Sequence, residues 1–230
     1  MQTPDRPATS YAQPARRRAY IAGMRQLAAT RRPGEPVRVY LSAPPAVQTR
    51  PTWPHRVSHI RAALPEHVTL LHYQDVFNPS GDYFEQWEAT ADAFDGLVVI
   101  GLHRDRRRDP REQTLGPIAR QELIHTVSAG RPALLHSPTR GLVPVLDCKP
   151  RRVGEDPHQR LRLTIPPSWN SNEPTLQAAL DALTPKYAGT TPQQRTTDTP
   201  SGPRNDGPDH LAHPFTAVSG TSRPSSSTCS

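Results

Sequence analysis

A carboxylate inside a helix that opens on proline is the sharpest chemical feature of this chain. Ile118-Ala119-Arg120-Gln121-Glu122-Leu123 follows Gly116-Pro117, and proline suits a first helical turn. Glu122 then sits in the first turns of a helix, where the positive end of the helix dipole favours the ionised form. An ionised carboxylate beside a strand edge has the chemistry of a nucleophile. The bland alternative is a glutamate that only stabilises its helix. Two other segments could meet it. Tyr40-Leu41-Ser42-Ala43-Pro44 ends an apolar run in small residues and proline, which lets a ligand approach the backbone. Glu88, Asp92 and Asp95 precede the apolar run GLVVIG at 96–101. For Asp92 a plain surface position is the expectation, and an aspartate placed like Asp95 more often caps or turns into a strand than reacts.

The surrounding pattern supplies elements to position these groups. VRVYL (37–41) is β-branched and apolar, and HVTLLHY (67–73) reads as a second strand. GLVVIG is a continuous apolar run between glycines, as expected of a strand buried on both sheet faces. PALLHS (132–137) is the next strand, with weaker candidates at LVPVLD (142–147) and LRLTIP (161–166). Helical spacing marks residues 56–64, 82–93, 117–129 and 175–183. The stretch 102–115 reads as a polar loop containing HRDRRRDPRE. Strands alternating with helices predict an α/β fold of Rossmann or flavodoxin type, with a four- or five-stranded, mostly parallel sheet and helices on both faces. Ligands in such sheets bind at the carboxyl ends of the strands. That rule selects the loops after Leu41, Tyr73, Ile100 and Ser137.

Charge and composition bound the function class. Hydrophobic residues make up 34% of the 230, below the roughly half of an average globular chain, and they gather in the centre. Residues 1–36 hold seven arginines against Asp5 and Glu35, whereas 37–184 hold seventeen basic and sixteen acidic side chains. The net charge of +7 therefore belongs mainly to the N-terminal arm. A nucleic-acid interface would need a basic face on the folded part, and none is expected. Residues 1–36 read as a mostly disordered arm with one apolar stripe at helical spacing over 15–30, for which docking on the domain is the favoured role. Residues 37–184 form the domain. Residues 185–230, rich in Pro, Ser and Thr, read as a disordered tail. No run is long enough to span a membrane, and no secretory signal begins the chain. Cys148 and Cys229 give neither a disulfide framework nor a zinc pattern. No metal or cofactor is expected, and a reducing cytoplasm is the default location. The scattered histidines are expected to be surface or packing residues.

The central hundred residues, 37–137, resemble the nucleoside 2-deoxyribosyltransferases and their relatives. The family pattern is a first strand like YLAGP, an Asp-led apolar strand, a polar loop, and a helix with Glu-Leu followed by Gly-Lys. The counterparts are Tyr40-Leu41-Ser42-Ala43-Pro44, then Asp95-Gly96-Leu97-Val98-Val99-Ile100, then Glu122-Leu123 with Gly130-Arg131 eight and nine residues after the glutamate. The resemblance implies a nucleoside or nucleotide ligand and transfer at its anomeric carbon. It makes Glu122 the nucleophile, Tyr40 the group that orients it, and Glu88 the acidic contact to base or sugar. Ser42, Asp95, Gly101 and Gly116, at the ends of the matching runs, complete the expected substrate-binding set. Departures are Arg120 where the family lets a sugar approach, Ile124 where it has glycine, and Thr126 where it has alanine. Arg104, Arg106, Arg107, Arg108 and Arg111 could hold a phosphate, or could simply pair with Asp105, Asp109 and Glu112.

Two function classes stay open. One is an enzyme that cleaves or transfers an N-glycosidic bond. The other is a non-catalytic nucleotide-binding or interaction module on the same fold. Assembly into a homo-oligomer is open in both.

Overall fold

The computed structural model describes residues 12–102, 109–154 and 159–185. Its centre is a five-stranded sheet of order β2-β1-β3-β5-β6. The strands are β1 (Val37–Ser42), β2 (Val68–Leu71), β3 (Gly96–Val99), β5 (Ala133–Ser137) and β6 (Gly141–Pro144). The first four run parallel, in register Val39 with Gly96 and Leu97 with Ala133. β6 is antiparallel to β5, because the connection from Ser137 to Gly141 is too short for a crossover. Gly141 turns that corner at a φ of 71°, which disfavours a side chain. This is the expected mostly parallel α/β architecture.

The helices are α1 (Ala12–Thr30), α2 (Pro45–Gln48), α3 (Trp53–Ala63), α4 (Tyr73–Val76), α5 (Tyr83–Thr90), α6 (Pro117–Ser128) and α7 (Pro174–Ala182). Prolines open α3, α6 and α7, where the missing N–H costs nothing. Asp82 caps α5 by accepting the N–H groups of Phe84 and Glu85. Alternation along the strands decides which helix meets which face. Tyr40 and Ser42 face α5 and α6, whereas His136 of β5 faces α3, where its Nε2 lies 3.4 Å from His59 Nδ1. The core between them includes Leu41, Leu97, Leu134 and Leu135, all fully buried.

A second sheet, absent from the sequence expectation, has the order β4-β8-β7 and is antiparallel. Its strands are β4 (Glu112–Leu115), β7 (Lys149–Val153) and β8 (Arg160–Thr164). β4 lies in the stretch read as loop. Its polar sequence is buried because Gln113 is saturated: its Oε1 accepts the Gly101 N–H at 2.9 Å and its Nε2 donates to the His136 carbonyl at 2.8 Å. β7 is an exposed edge strand, where Pro150 is tolerated. The candidate strand at 161–166 belongs to this sheet and not to the parallel one.

The helix expected over 15–30 of the basic arm spans Ala12–Thr30 and docks on α7 through Met24, Ala178 and Ala182. Arg17 ties it to Asp147 and Glu173 at 2.9 and 2.8 Å. Arg31, just past its end, reaches Asp95 at 3.1 Å and the Ala182 carbonyl at 3.2 Å. Its basic side chains are thus partly spent on attachment. Residues 1–11, Arg104, Arg106, Arg107 and Arg108 of the basic loop, and the tail from 186 lie outside the described residues.

Candidate functional site

The site is built where the sheet face bearing Tyr40 and Ser42 meets α5 and α6. Ser42 is the last residue of β1 and aligns with Val99 of β3, so it stands at the carboxyl edge of the sheet. Glu122 reaches this face from the second turn of α6 and is 2% exposed. Its Oε1 accepts a short hydrogen bond from the Tyr83 hydroxyl. Its Oε2 is buried and has no hydrogen-bond partner. The Tyr40 hydroxyl, from β1, lies near enough to Tyr83 and Glu122 to feel both.

Aromatic rings enclose these polar groups. Tyr40 stacks on Phe94 at 5.2 Å and meets Phe77 edge-on at 5.7 Å. Tyr83 stacks on Tyr73 at 5.8 Å and meets Phe77 at 5.2 Å. The rings of Tyr40, Phe77 and Phe94 are buried and keep water from the polar groups, and the half-buried Tyr73 and Tyr83 are the faces on which a flat ring could stack.

The low-polarity surroundings set the protonation of the cluster. Burial pushes the Glu122 carboxyl above its ordinary range, and the Ser42 and Tyr83 hydroxyls only partly counter it. The helix dipole was expected to favour the ionised form, and loss of water works against it. Burial, and then the Glu122 charge, push both Tyr40 and Tyr83 upward. Both phenols therefore stay protonated and serve as donors.

The structure brings together Glu122, Tyr40 and Ser42, and adds Tyr83. It places the other expected site residues elsewhere. Glu88 is exposed on the outer side of α5, since Trp87 takes the inward position. Asp95 precedes β3 and stands at the opposite, amino edge of the sheet. There it accepts the Arg38 N–H at 2.7 Å and pairs with Arg31. Gly101 makes room for β4, not for a ligand: a Cβ there would lie 2.6 Å from Gln113 Cβ. Gly116 is the residue before α6, half-buried, with open space where a Cβ would stand. It remains near the site through the N-terminus of that helix.

Tyr83 was legible in part. It lies one turn before Trp87 on the apolar side of α5, which marks it as inward-facing without showing that its hydroxyl meets a carboxylate. Arg131, the counterpart of the family lysine, has a structural task. It donates to the Ala91 carbonyl at 2.9 Å and pairs with Asp92 at 3.2 Å. Arg111 pairs with Asp109, as the bland reading of the basic loop has it. His136 is buried, and desolvation with the nearby His59 and Arg56 lowers its pKa to about 4.

Among the described residues, no group of three His, Cys, Asp or Glu side chains is placed to hold a metal ion. No described helix is long and apolar enough to cross a membrane. No protein-family model, curated protein or solved structure matches this chain.

Proposed function

We propose that the Glu122 cluster cleaves or transfers the N-glycosidic bond of a nucleoside or nucleotide, with Glu122 as nucleophile. The observation that carries the reading is the unequal treatment of its two oxygens. Oε1 is held by Tyr83, whereas Oε2 is buried without a well-aligned donor, the Ser42 hydroxyl being the other polar group beside the carboxyl. In the first step Oε2 bonds to C1′ and the C1′–N electron pair leaves with the base, which takes a proton from solvent. In the second step water or an acceptor base attacks C1′, losing a proton to solvent, and the carboxylate is released. The aromatic faces of Tyr73 and Tyr83 would stack on the base. A reducing cytoplasm, where such ligands are found, fits the reading. The order of motifs shared with nucleoside 2-deoxyribosyltransferases supports it.

The 2% exposure of Glu122 favours a second reading, a binding module in which this carboxyl only packs. A pentose reaches Oε2 only if the Tyr83 end of α5 gives way. One experiment separates the two. The full chain and its Glu122→Gln and Glu122→Ala variants are assayed for base release from nucleosides, deoxynucleotides and NAD, with calorimetry on the same ligands. Turnover lost in both variants while ligand affinity persists supports the nucleophile. Binding without turnover in the parent chain supports the module. Turnover that survives Glu122→Ala removes Glu122 from the chemistry.

A further inference from the structure

A second cavity, away from Glu122, opens between α1, the C-terminal end of α6 and the β7-β8 hairpin. It holds about 620 Å³, inside the usual range of about 300–1,000 Å³ for small-molecule sites. Its walls are mainly apolar, with Tyr20 and Met24 from α1, Val127 from α6, Val145, and Leu161 and Leu163 from β8. Every charged side chain on its lining is basic: Arg16, Arg17, Arg131 and Lys149. Arg17 and Arg131 are already engaged, by Asp147 with Glu173 and by Asp92. Arg16 and Lys149 are exposed and form no ion pair among the described residues.

One further feature opens the cavity. Gly23 stands inside α1 on the cavity wall, and a Cβ there would meet nothing within 4 Å. A mid-helix glycine costs about 1 kcal/mol relative to alanine, and no packing within this chain requires it. Its missing side chain widens the cavity.

We infer that this cavity binds a small amphipathic carboxylate, with the chain or ring against Val127, Leu161 and Leu163 and the anionic head toward Arg16 and Lys149. The apolar walls select the body, and the unpaired cations select the head. This site is independent of any chemistry at Glu122.

The test is isothermal titration of the full chain with decanoate and with decan-1-ol. Decanoate should bind saturably with one equivalent per chain, and the alcohol at least about tenfold more weakly. Gly23→Phe, whose Cβ meets nothing within 4 Å and whose ring extends into the open space, should weaken decanoate by about tenfold or more, as should Arg16→Glu combined with Lys149→Glu. Gly23→Ala should bind like the parent. Circular dichroism checks each variant's fold, and the charge-reversed pair decides the matter if Gly23→Phe does not fold. Absence of saturable decanoate binding overturns the inference. So does equal binding of the alcohol, or decanoate affinity untouched by the substitutions that fold.

Discussion

The Tyr83 hydroxyl and the Glu122 carboxylate join α5 to α6. Tyr83 donates to Oε1 from the first turn of α5, and Glu122 receives it from the second turn of α6. It is the hydrogen bond that fixes the direction of a carboxyl otherwise wrapped in aromatic rings.

Removing that donor should be felt in both stability and chemistry. Tyr83→Phe keeps the ring contacts with Tyr73 and Phe77 and deletes only the hydroxyl. Oε1 of a buried carboxyl then loses its donor, at a cost of about 1–3 kcal/mol. Denaturant unfolding measures it. Should Glu122 act on a sugar, base release in this variant falls by about 10- to 100-fold, because the nucleophile is no longer oriented.

Glu122 also sets a pH dependence of stability. Its folded-state pKa lies above the ordinary value of 4.5. The folded state therefore binds the proton more tightly than the unfolded chain. The destabilisation is absent below 4.5, grows as pH rises toward the folded value, and is complete above it. Glu122→Gln, which cannot ionise, should flatten this part of the profile and be more stable than the parent at the alkaline end. Urea melts from pH 4 to pH 9 check the slope. A parent chain whose stability rises through this window without any such loss contradicts the assignment.

Asp95 should behave as a structural residue. Asp95→Ala strips the partner from Arg31, whose side chain is only 4% exposed, while the Asp95 side chain itself is 28% exposed. The partial exposure places the expected loss at about 2–3 kcal/mol, below the value for a fully buried pair. Nucleoside affinity should not change, since Asp95 stands at the amino edge of the sheet and Ser42 at the carboxyl edge. A drop in affinity with stability intact would return Asp95 to the ligand.

Gln113 is a buried polar residue whose amide satisfies two backbone groups. Gln113→Leu leaves the Gly101 N–H and the His136 carbonyl buried without partners. With about 1–3 kcal/mol for each orphaned group, the total loss should be about 2–4 kcal/mol. Gly101→Ala should also destabilise, by about 1–3 kcal/mol, since the new methyl meets both Gln113 and the Thr114 backbone. Thermal unfolding reads both.

The parallel sheet was legible because its strands are apolar runs with no competing period. Residues 96–101 are a continuous apolar run, 132–137 is apolar as far as Leu135, 37–41 is β-branched and apolar but for Arg38, and proline, aspartate and glycine punctuate the helices between them. The second sheet was not legible for the opposite reason. Glu112-Gln113-Thr114-Leu115 is polar, and only the long-range bonds of Gln113 make its burial possible. Lys149-Pro150-Arg151-Arg152-Val153 has no alternation because it is an edge open to water. In the site, Tyr40, Ser42 and Glu122 could be found from spacing on matched elements. Glu88 could not be told from Trp87 without the helix phase, and Asp95 could not be assigned to an end of the sheet by composition. Tyr83 joins from a separate helix, and its approach to Glu122 is set by tertiary packing alone.

The anchoring of α1 has a kinetic consequence. The partners of Arg17 lie 130 and 156 positions further along the chain. As synthesis proceeds from the amino end, this helix emerges early with nothing to hold it, and Asp147 emerges later still lacking its counter-charge. The last ion pairs close only after Glu173 has left the ribosome. Seating α1 is therefore a late event, slowed by the length of chain that must loop back, and nascent chains halted before residue 173 should leave that helix open to proteases.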